Sequence, residues 1–400
     1  MGKDRLHILF VSHEYFDDEL PDAGGIGHFL ETLSKLLVKK GHTVTVMGYS
    51  SKKLIKNTKG VDLRFFKSYI SYFQGVYDRL EQLLHLVGLT SLLIPLLKMD
   101  RKRLAKEVKE FTTNEEVDII ELNDYLGDGA YLSTDIPSIV RSHGSYTMLH
   151  NEAGFRPNTA FEYFEKLQAQ KVEMGIGVSN FSSSMLAKYF NLSDVVTIYN
   201  GLDYDSYRAT EIKNHNRIFY FGTLSEAKGM DRLVNTFNQL IARNPNLDLF
   251  IAGKVKAYFE KVMWPRFTEQ AKKNVHFLGY LSKDQIRREI EESTLVYFPS
   301  RIENFSLALL ESMACARGVV CWDISAFREV IKHKENGLIV ADVEQAVDDI
   351  EALFKNKSQL QNLAKNARET IENEFTWETK GRENIEYYIA CIAKHGRKVN

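Results

Sequence analysis

Residues 297–322, YFPSRIENFSLALLESMACARGVVCW, constrain this chain more than any other stretch. The apolar run over 294–298 reads as a buried strand, 299–304 as a short loop, 305–316 as a helix and 318–322 as another strand. That order belongs to a parallel sheet with helical crossovers. Asn304 is the expected N-cap, so the amides of Phe305, Ser306 and Leu307 would open onto the loop without helical acceptors. Glu311 is out of keeping with its surroundings. Its helical neighbours three and four positions away are Leu307, Ala308, Ala314 and Cys315, an apolar face. A carboxylate there is costly unless hydrogen bonds reach it. Glu303 stands eight positions earlier, in the loop. A helix N-terminus flanked by two carboxylates can hold a phosphorylated, polyhydroxylated ligand: amides take oxygens and carboxylates take hydroxyls.

The 400 residues point to two domains by length. Hydrophobic residues at 44% and charged residues at 26% describe an ordinary globular chain with a sizeable core. Lys and Arg total 52 against 53 Asp and Glu, a net charge of −1 that gives no electrostatic footprint for nucleic acid. Cys315, Cys321 and Cys391 form no C-x-x-C pair and no even framework, so they read as packed free thiols of a reducing compartment. The chain enters a strand at once without a signal peptide, and Leu6 stands where a myristoylation motif requires Ser or Thr. The expected location is cytoplasmic.

Strands and helices alternate through both halves, the βαβ pattern of a parallel sheet. In the first half strands are expected over 6–12, 43–48, 61–67, 117–122, 138–141, 175–178 and 195–199. Helices are expected over 26–40, 68–111, 161–172 and 181–190. Ile26, Leu30, Leu33 and Leu37 form one buried stripe. Before them comes Asp22-Ala23-Gly24-Gly25-Ile26-Gly27, whose glycines let backbone approach an anion, although a lone Gly-Gly serves as readily for a turn. The apolar run 83–97 is interrupted by Thr90, Ser91 and Pro95 and is too short to span a bilayer. It leads into a helix carrying Lys98, Arg101, Lys102, Arg103, Lys106 and Lys109, with Leu97, Leu104, Val108 and Phe111 on one face. The segment 83–109 reads either as a packed helix with a solvated charged face or as contact with an anionic membrane surface. The strands at 117–122 and 138–141 lead to Asn123-Asp124 and His143-Gly144 at the edge where parallel sheets bind ligands. His143 is either a satisfied loop histidine or a site residue.

Asn200-Gly201-Leu202-Asp203 marks a turn and, with the polar segment to Asn216, the expected hinge. Asp203-Tyr204-Asp205 also spells D-x-D, a short metal-binding pattern read here as chance. Second-half strands are expected over 217–222, 247–253, 275–278, 294–298, 318–322 and 337–340. Helices are expected over 230–242, 343–354, 358–374 and 377–394. Lys228, at a helix N-terminus, opposes the macrodipole; an anionic diphosphate beside it would offset both charges.

Glu303-Asn304-Phe305-Ser306-Leu307, Glu311-Ser312-Met313-Ala314 and Arg317-Gly318-Val319-Val320 together resemble the E-x7-E signature of retaining nucleotide-sugar glycosyltransferases with the GT-B fold, most closely family 4. Ser306 replaces the family's Gly, and Gly318 its Pro. Thr223-Leu224-Ser225-Glu226-Ala227-Lys228-Gly229 is similar to the family's G-R-L-x-x-x-K-G, with Thr223 in place of Arg, so one of two expected cations is missing. Asn200-Gly201-Leu202-Asp203 resembles the family's N-G-v-D domain junction. The resemblance runs from about Leu6 to Tyr388.

It implies an α/β GT-B architecture, two Rossmann-like domains with parallel sheets facing across a cleft. The acceptor domain would take 1–200, completed by a C-terminal helix over 376–400, and the donor domain 201–375. The implied reaction moves a sugar from a nucleoside diphosphate sugar, UDP-linked by preference, to a glycan, lipid-linked or other hydroxyl acceptor in bacterial surface polysaccharide or glycoconjugate synthesis. It would proceed with retention, without metal or other cofactor, the sugar nucleotide being a co-substrate. In the implied site Glu311 holds the ribose, amides at Phe305, Ser306 and Leu307 hold sugar hydroxyls, and Glu303 and His143 lie beside the sugar. Lys228 and the Gly25 loop meet the diphosphate, with Thr223 and Lys254 close by, and Tyr280 either covers the base or packs over the strand end. Family members that elongate lipid-linked glycans favour membrane contact through 83–109 at the inner face. Two other readings fit the same fold: a non-catalytic partner subunit of another transferase, suggested by Thr223 and Ser306, and a nucleotide-sugar epimerase or hydrolase.

Overall fold

The computed structural model describes residues 5–20, 23–212, 216–255 and 257–399. Met1 and Gly2, Asp22 of the glycine loop and residues 213–215 of the expected hinge lie outside the described residues. The chain divides into two compact units, Met1–Tyr199 with Lys380–Asn400, and Asn200–Thr379.

In the first unit the strands are β1 (His7–Val11), β2 (Thr43–Ser50), β3 (Leu54–Thr58), β4 (Val61–Lys67), β5 (Ile119–Asn123), β6 (Ser138–Ser142), β7 (Met174–Gly177) and β8 (Asp194–Thr197). They form one sheet in the order β3-β4-β2-β1-β5-β6-β7-β8. Ile8 lies opposite Val44 on one side and Ile119 on the other, both in parallel register. The central strands are buried on both faces, which is why they read as continuous apolar runs rather than alternating ones. Strand β3 departs from the expected all-parallel pattern. It pairs antiparallel with β4 through a two-residue turn at Lys59-Gly60, both at positive φ, as a tight hairpin requires. Its sequence, LIKNT, is polar because it lies at the sheet edge and buries only Leu54 fully.

The long helical segment is two helices, Gln74–Leu86 and Ile94–Asn114. The second keeps Lys102, Lys106 and Lys109 exposed, while two of its other cations turn to packing. The Arg101 side chain is buried and donates to the carbonyls of Leu97, Leu126 and Gly127. Arg103 donates to the Lys67 carbonyl, and Lys106 pairs with Glu110 one turn on. Arg101 and Arg103 are spent on packing because the helix lies against the sheet through Leu104 and Val108. The exposed apolar surface lies upstream instead, at Val76, Leu80, Leu83, Leu86, Val87, Leu89 and Leu92. Among the described residues no helix is long and apolar enough to cross a membrane.

The C-terminal helix Trp377–Val399 closes the first unit. Beneath it Arg141 and Glu121 form a buried bidentate pair at 2.7 and 3.0 Å. Tyr388 donates to the same carboxylate at 2.7 Å, and Asn384 accepts from Arg141. Buried charges persist only when paired and hydrogen-bonded in this way.

In the second unit β9 (Arg217–Phe221), β10 (Asp248–Ala252), β11 (Val275–Gly279), β12 (Leu295–Phe298), β13 (Gly318–Trp322) and β14 (Leu338–Val340) pair in parallel, in the order β11-β10-β9-β12-β13-β14. The order reverses between β9 and β12, so a crevice opens beyond their carboxyl ends. Helix Met230–Arg243 buries Met230, Leu233, Val234, Phe237, Leu240 and Ile241 on one face, each worth roughly 1.5–3 kcal/mol on burial. The helix after β12 spans Leu307–Ala314, two residues later than expected at its start. Its cap is Ser306, whose hydroxyl accepts from the Leu309 amide, and not Asn304. Phe305 packs against Phe375 at 5.9 Å and Ser306 stays extended, which delays the first turn.

Candidate functional site

The crevice of the second unit is built from the loops after β9 and β12. Their cohesion comes from backbone. The Arg301 amide donates to the Ala227 carbonyl at 2.9 Å, and Arg232 donates to the carbonyls of Pro299 and Ser300. Arg301 also forms a bidentate pair with Asp231, at 2.5 and 2.7 Å. Gly229, at φ +68°, presses on the Pro299 carbonyl so closely that a Cβ would lie 1.9 Å from its oxygen.

This frame brings Lys228 and Glu303 together, although 75 positions separate them. Lys228 Nζ lies 2.6 Å from each carboxylate oxygen, and Ser300 donates to one of them at 2.8 Å. Lys228 is 32% exposed and Glu303 12%, so the cation is reachable while the carboxylate is largely enclosed. A lysine so placed neutralises an anionic ligand at the sheet edge, and a carboxylate beside it accepts hydroxyls or faces a developing positive charge.

Glu311 occupies the helix that follows. Burial pushes its carboxyl up to about 7, against the pull of the Tyr207 hydroxyl, Lys283 and Arg287. Tyr207, within the expected hinge, donates its hydroxyl to Glu311. Ionised, Glu311 accepts two hydroxyls; protonated, it loses part of that capacity. A hydroxyl that donates to this carboxylate is therefore held more strongly as pH rises through its pKa. The helix begins at Leu307, so the amides of Leu307 and Ala308 join that of the cap residue Ser306 at this N-terminus. Phe305 turns its ring to the core, and Ser306 spends its hydroxyl on the cap.

Lys254 and Tyr280 end neighbouring strands and meet each other, the ammonium 5.6 Å from the ring centroid. Tyr280 is 74% exposed, an open aromatic face. Thr223 is exposed, and its carbonyl accepts from the Tyr220 hydroxyl at 3.0 Å.

In the first unit Gly25 and His143 stand at the equivalent edge. The helix Gly25–Lys39 already holds an anion at its N-terminus: Glu14 accepts from the amides of Gly24 and Gly27 at 2.9 and 3.2 Å. Close approach is therefore needed at Gly24, where a Cβ would lie 2.9 Å from the Glu14 carboxylate, and not at Gly25, which faces open space. His143 packs edge-on against Phe29 of that helix, ring centroids 4.7 Å apart. Its amide and that of Gly144 donate to Asp124, which shapes the loop. Burial, with Arg141 nearby, pushes His143 down to about 3, so its imidazole is neutral at physiological pH. A helix the sequence reading missed, Tyr146–Ala153, follows, capped by Ser145. Among the described residues no three His, Cys, Asp or Glu side chains are grouped as metal ligands would be.

Tyr207, Ser300 and Glu14 escaped the sequence reading. Only Glu14 carried a local signal, a carboxylate just beyond the first strand in the loop that ends in the glycines.

The sequence model of the family described as Glycosyl transferases group 1 matches residues 205–370, and that of Glycosyltransferase Family 4 matches residues 23–206. An uncharacterised glycosyltransferase of Methanocaldococcus jannaschii is 23% identical over 403 residues, covering 94% of this chain and 96% of the relative. Among solved structures, sucrose-phosphate synthase from Thermosynechococcus elongatus matches with a TM-score of 0.77 at 16% identity, over 97% of this chain and 100% of that one. Anabaena HepE, solved in complex with UDP and glucose, matches at 0.70 and 18%, over 96% and 99%. The shared fold is that of two α/β domains with parallel sheets, the GT-B architecture.

Proposed function

We propose that this chain, which belongs to the group 1, family 4-type glycosyltransferases, moves a sugar from a nucleoside diphosphate sugar to a hydroxyl acceptor with retention at the anomeric carbon. The observation that carries this reading is the meeting of Lys228 and Glu303 at the switch point of the second sheet, with Glu311 on the next helix. Glu311, its ionised form steadied by Tyr207, takes the ribose hydroxyls. Lys228 leaves part of its bond with Glu303 to neutralise the diphosphate, and the charge that grows there as the glycosidic bond breaks is what it stabilises. Glu303, relieved of half its partner, faces the sugar as that ring becomes electron-poor. The Leu307 and Ala308 amides take sugar hydroxyls, and the exposed Tyr280 ring covers the base. In the first unit neutral His143 and the Gly25 backbone are the groups offered at the ligand edge of that sheet. These groups need no metal to do this.

UDP is the favoured nucleotide, a preference supported by the UDP-bound relative of the same fold. The acceptor is a glycan or a lipid-linked glycan in polysaccharide or glycoconjugate synthesis. The exposed apolar residues between Val76 and Leu92, with Lys98 and Lys102 beside them, support action at the inner membrane face. Three free, buried cysteines suit the cytoplasm.

The reading is tested by incubating the protein with UDP-, GDP- and ADP-glucose and a panel of glycosides, polyprenol-linked sugars and small hydroxyl compounds. Nucleoside diphosphate release is followed, and the product is assigned by proton NMR. The expected result is release from one donor and an α-linked product from the α-linked donor. A β-linked product would overturn retention.

A further inference from the structure

Helix Gln74–Leu86 of the first unit has no fully buried residue. It rests on the unit through half-buried Tyr77 and Leu84, which pack beside Leu93, Leu97 and Phe164. Val76, Leu80, Leu83 and Val87 recur at helical spacing on its outer side, each 43–68% exposed. Exposed Leu89 and Leu92 carry the apolar surface across the turn that follows. An apolar face of this extent marks a contact with something other than water. On helix Ile94–Asn114, Arg103 and Lys106 meet Glu107 and Glu110 one turn on, at 3.8 and 3.5 Å. Lys98 and Lys102, closer to where the helix leaves the apolar turn, have Lys102 and Lys106 in those places. Among the described residues neither forms an ion pair. Both ammonium groups lie over the Tyr131 ring, 5.6 and 5.9 Å from its centroid, although like charges one turn apart repel. Where helix Gln74–Leu86 begins, Lys67 lies 4.0 Å from the centroid of the exposed Tyr72 ring. The carboxylates of the region are engaged elsewhere. Asp100 is buried on Ser68 and the Tyr69 amide, Glu81 accepts from Asn158, and Asp78 accepts from Gln74.

We propose that this face docks on a bilayer containing anionic phospholipid, with Lys98 and Lys102 together holding a headgroup phosphate. This rests on the proposed action at a membrane face, and it names the lipid and the side chains that receive it. Helix Gln74–Leu86 lies in the interfacial plane with its stripe against the acyl chains, as amphipathic helices do. The phosphate oxygens accept from both ammonium groups, which offsets the repulsion between them. Tyr72, its ring exposed and Lys67 beside it, belongs at headgroup level, where an amphipathic ring is favoured. A second copy of this chain is a poorer occupant. It would bring its own unpaired lysines to the same face, and like charges set opposite each other are unfavourable.

The test is flotation of the full chain with vesicles of phosphatidylcholine alone, and of phosphatidylcholine and phosphatidylglycerol in equal parts. Binding is expected to the mixed vesicles, and it is expected to fall as salt is raised. Soluble glycerol phosphate is expected not to compete, because it brings a headgroup without chains. Lys98→Gln with Lys102→Gln is expected to weaken partition roughly 30-fold, the cost of two cations lost near a charged surface. Lys106→Gln with Lys109→Gln, the same loss of charge farther along the helix, is expected to weaken it no more than about threefold. Leu80→Asp with Leu83→Asp is expected to abolish flotation. No flotation with either vesicle, equal flotation with both, equal losses in the two lysine pairs, or release by glycerol phosphate overturns the inference. So does self-association of the free protein that Leu83→Asp removes. Nucleotide release from UDP-, GDP- and ADP-glucose is followed separately, without vesicles and with water and soluble glycosides as acceptors. Release without flotation overturns the docking and leaves glycosyl transfer standing; flotation without release does the reverse.

Discussion

Replacing Lys228 with methionine is expected to lower sugar-nucleotide turnover by roughly 10²–10³-fold, the cost of removing one fixed group from a charge-stabilising site. The lysine is the one cation of this loop that the family's pattern retains, since Thr223 stands where an arginine would. Its partner Glu303 keeps Ser300 at 2.8 Å, so the loop has a second tether when the ammonium is gone. Only the lysine end of the pair meets solvent, and with Ser300 still donating to Glu303 the loss to folding stays at about 1 kcal/mol. The melting temperature should therefore hold while kcat falls. A Lys228→Met protein that turns over at the wild-type rate would remove Lys228 from the chemistry.

Gly229→Ala is expected to destabilise the second unit by about 3 kcal/mol or more, the scale of forbidden backbone strain joined to a clash. Two costs add. The residue holds φ at +68°, where a Cβ is strained, and that Cβ would meet the Pro299 carbonyl oxygen at 1.9 Å. The obstacle is backbone, and the contact lies between the loops that present Lys228 and Glu303, so it has no easy relief. Thermal unfolding followed by calorimetry should show a fall of about 6–12 °C in the affected transition. A variant that melts with the wild type would contradict this geometry.

The alternation of apolar runs and helical stripes was enough to place both parallel sheets, because strands buried on two faces leave an unmistakable sequence trace. Strand β3 left none, being a short polar edge. The cap at Ser306 was illegible for a different reason. Asn304 and Ser306 are both good caps two residues apart, and the contact of Phe305 with Phe375, far along the chain, decides between them. The two glutamates of the site were visible in the sequence, but their partners were not. Tyr207 reaches Glu311 across the unit, and His13 meets Asp128 from 115 positions away. Local patterns carry no information about such pairs. The glycine loop shows the same limit: the residues gave an anion-binding backbone, and only the fold reveals that Glu14 supplies the anion.

Calorimetric titration of UDP into the wild-type protein and into Glu311→Ala, at pH 8 where Glu311 is ionised, tests the central claim most directly. Saturable one-to-one binding is expected, weakening roughly 10- to 100-fold in the variant, the cost of losing hydrogen bonds to a charged group. Equal affinity in the two proteins would place the nucleotide away from Glu311 and contradict the assignment of the site.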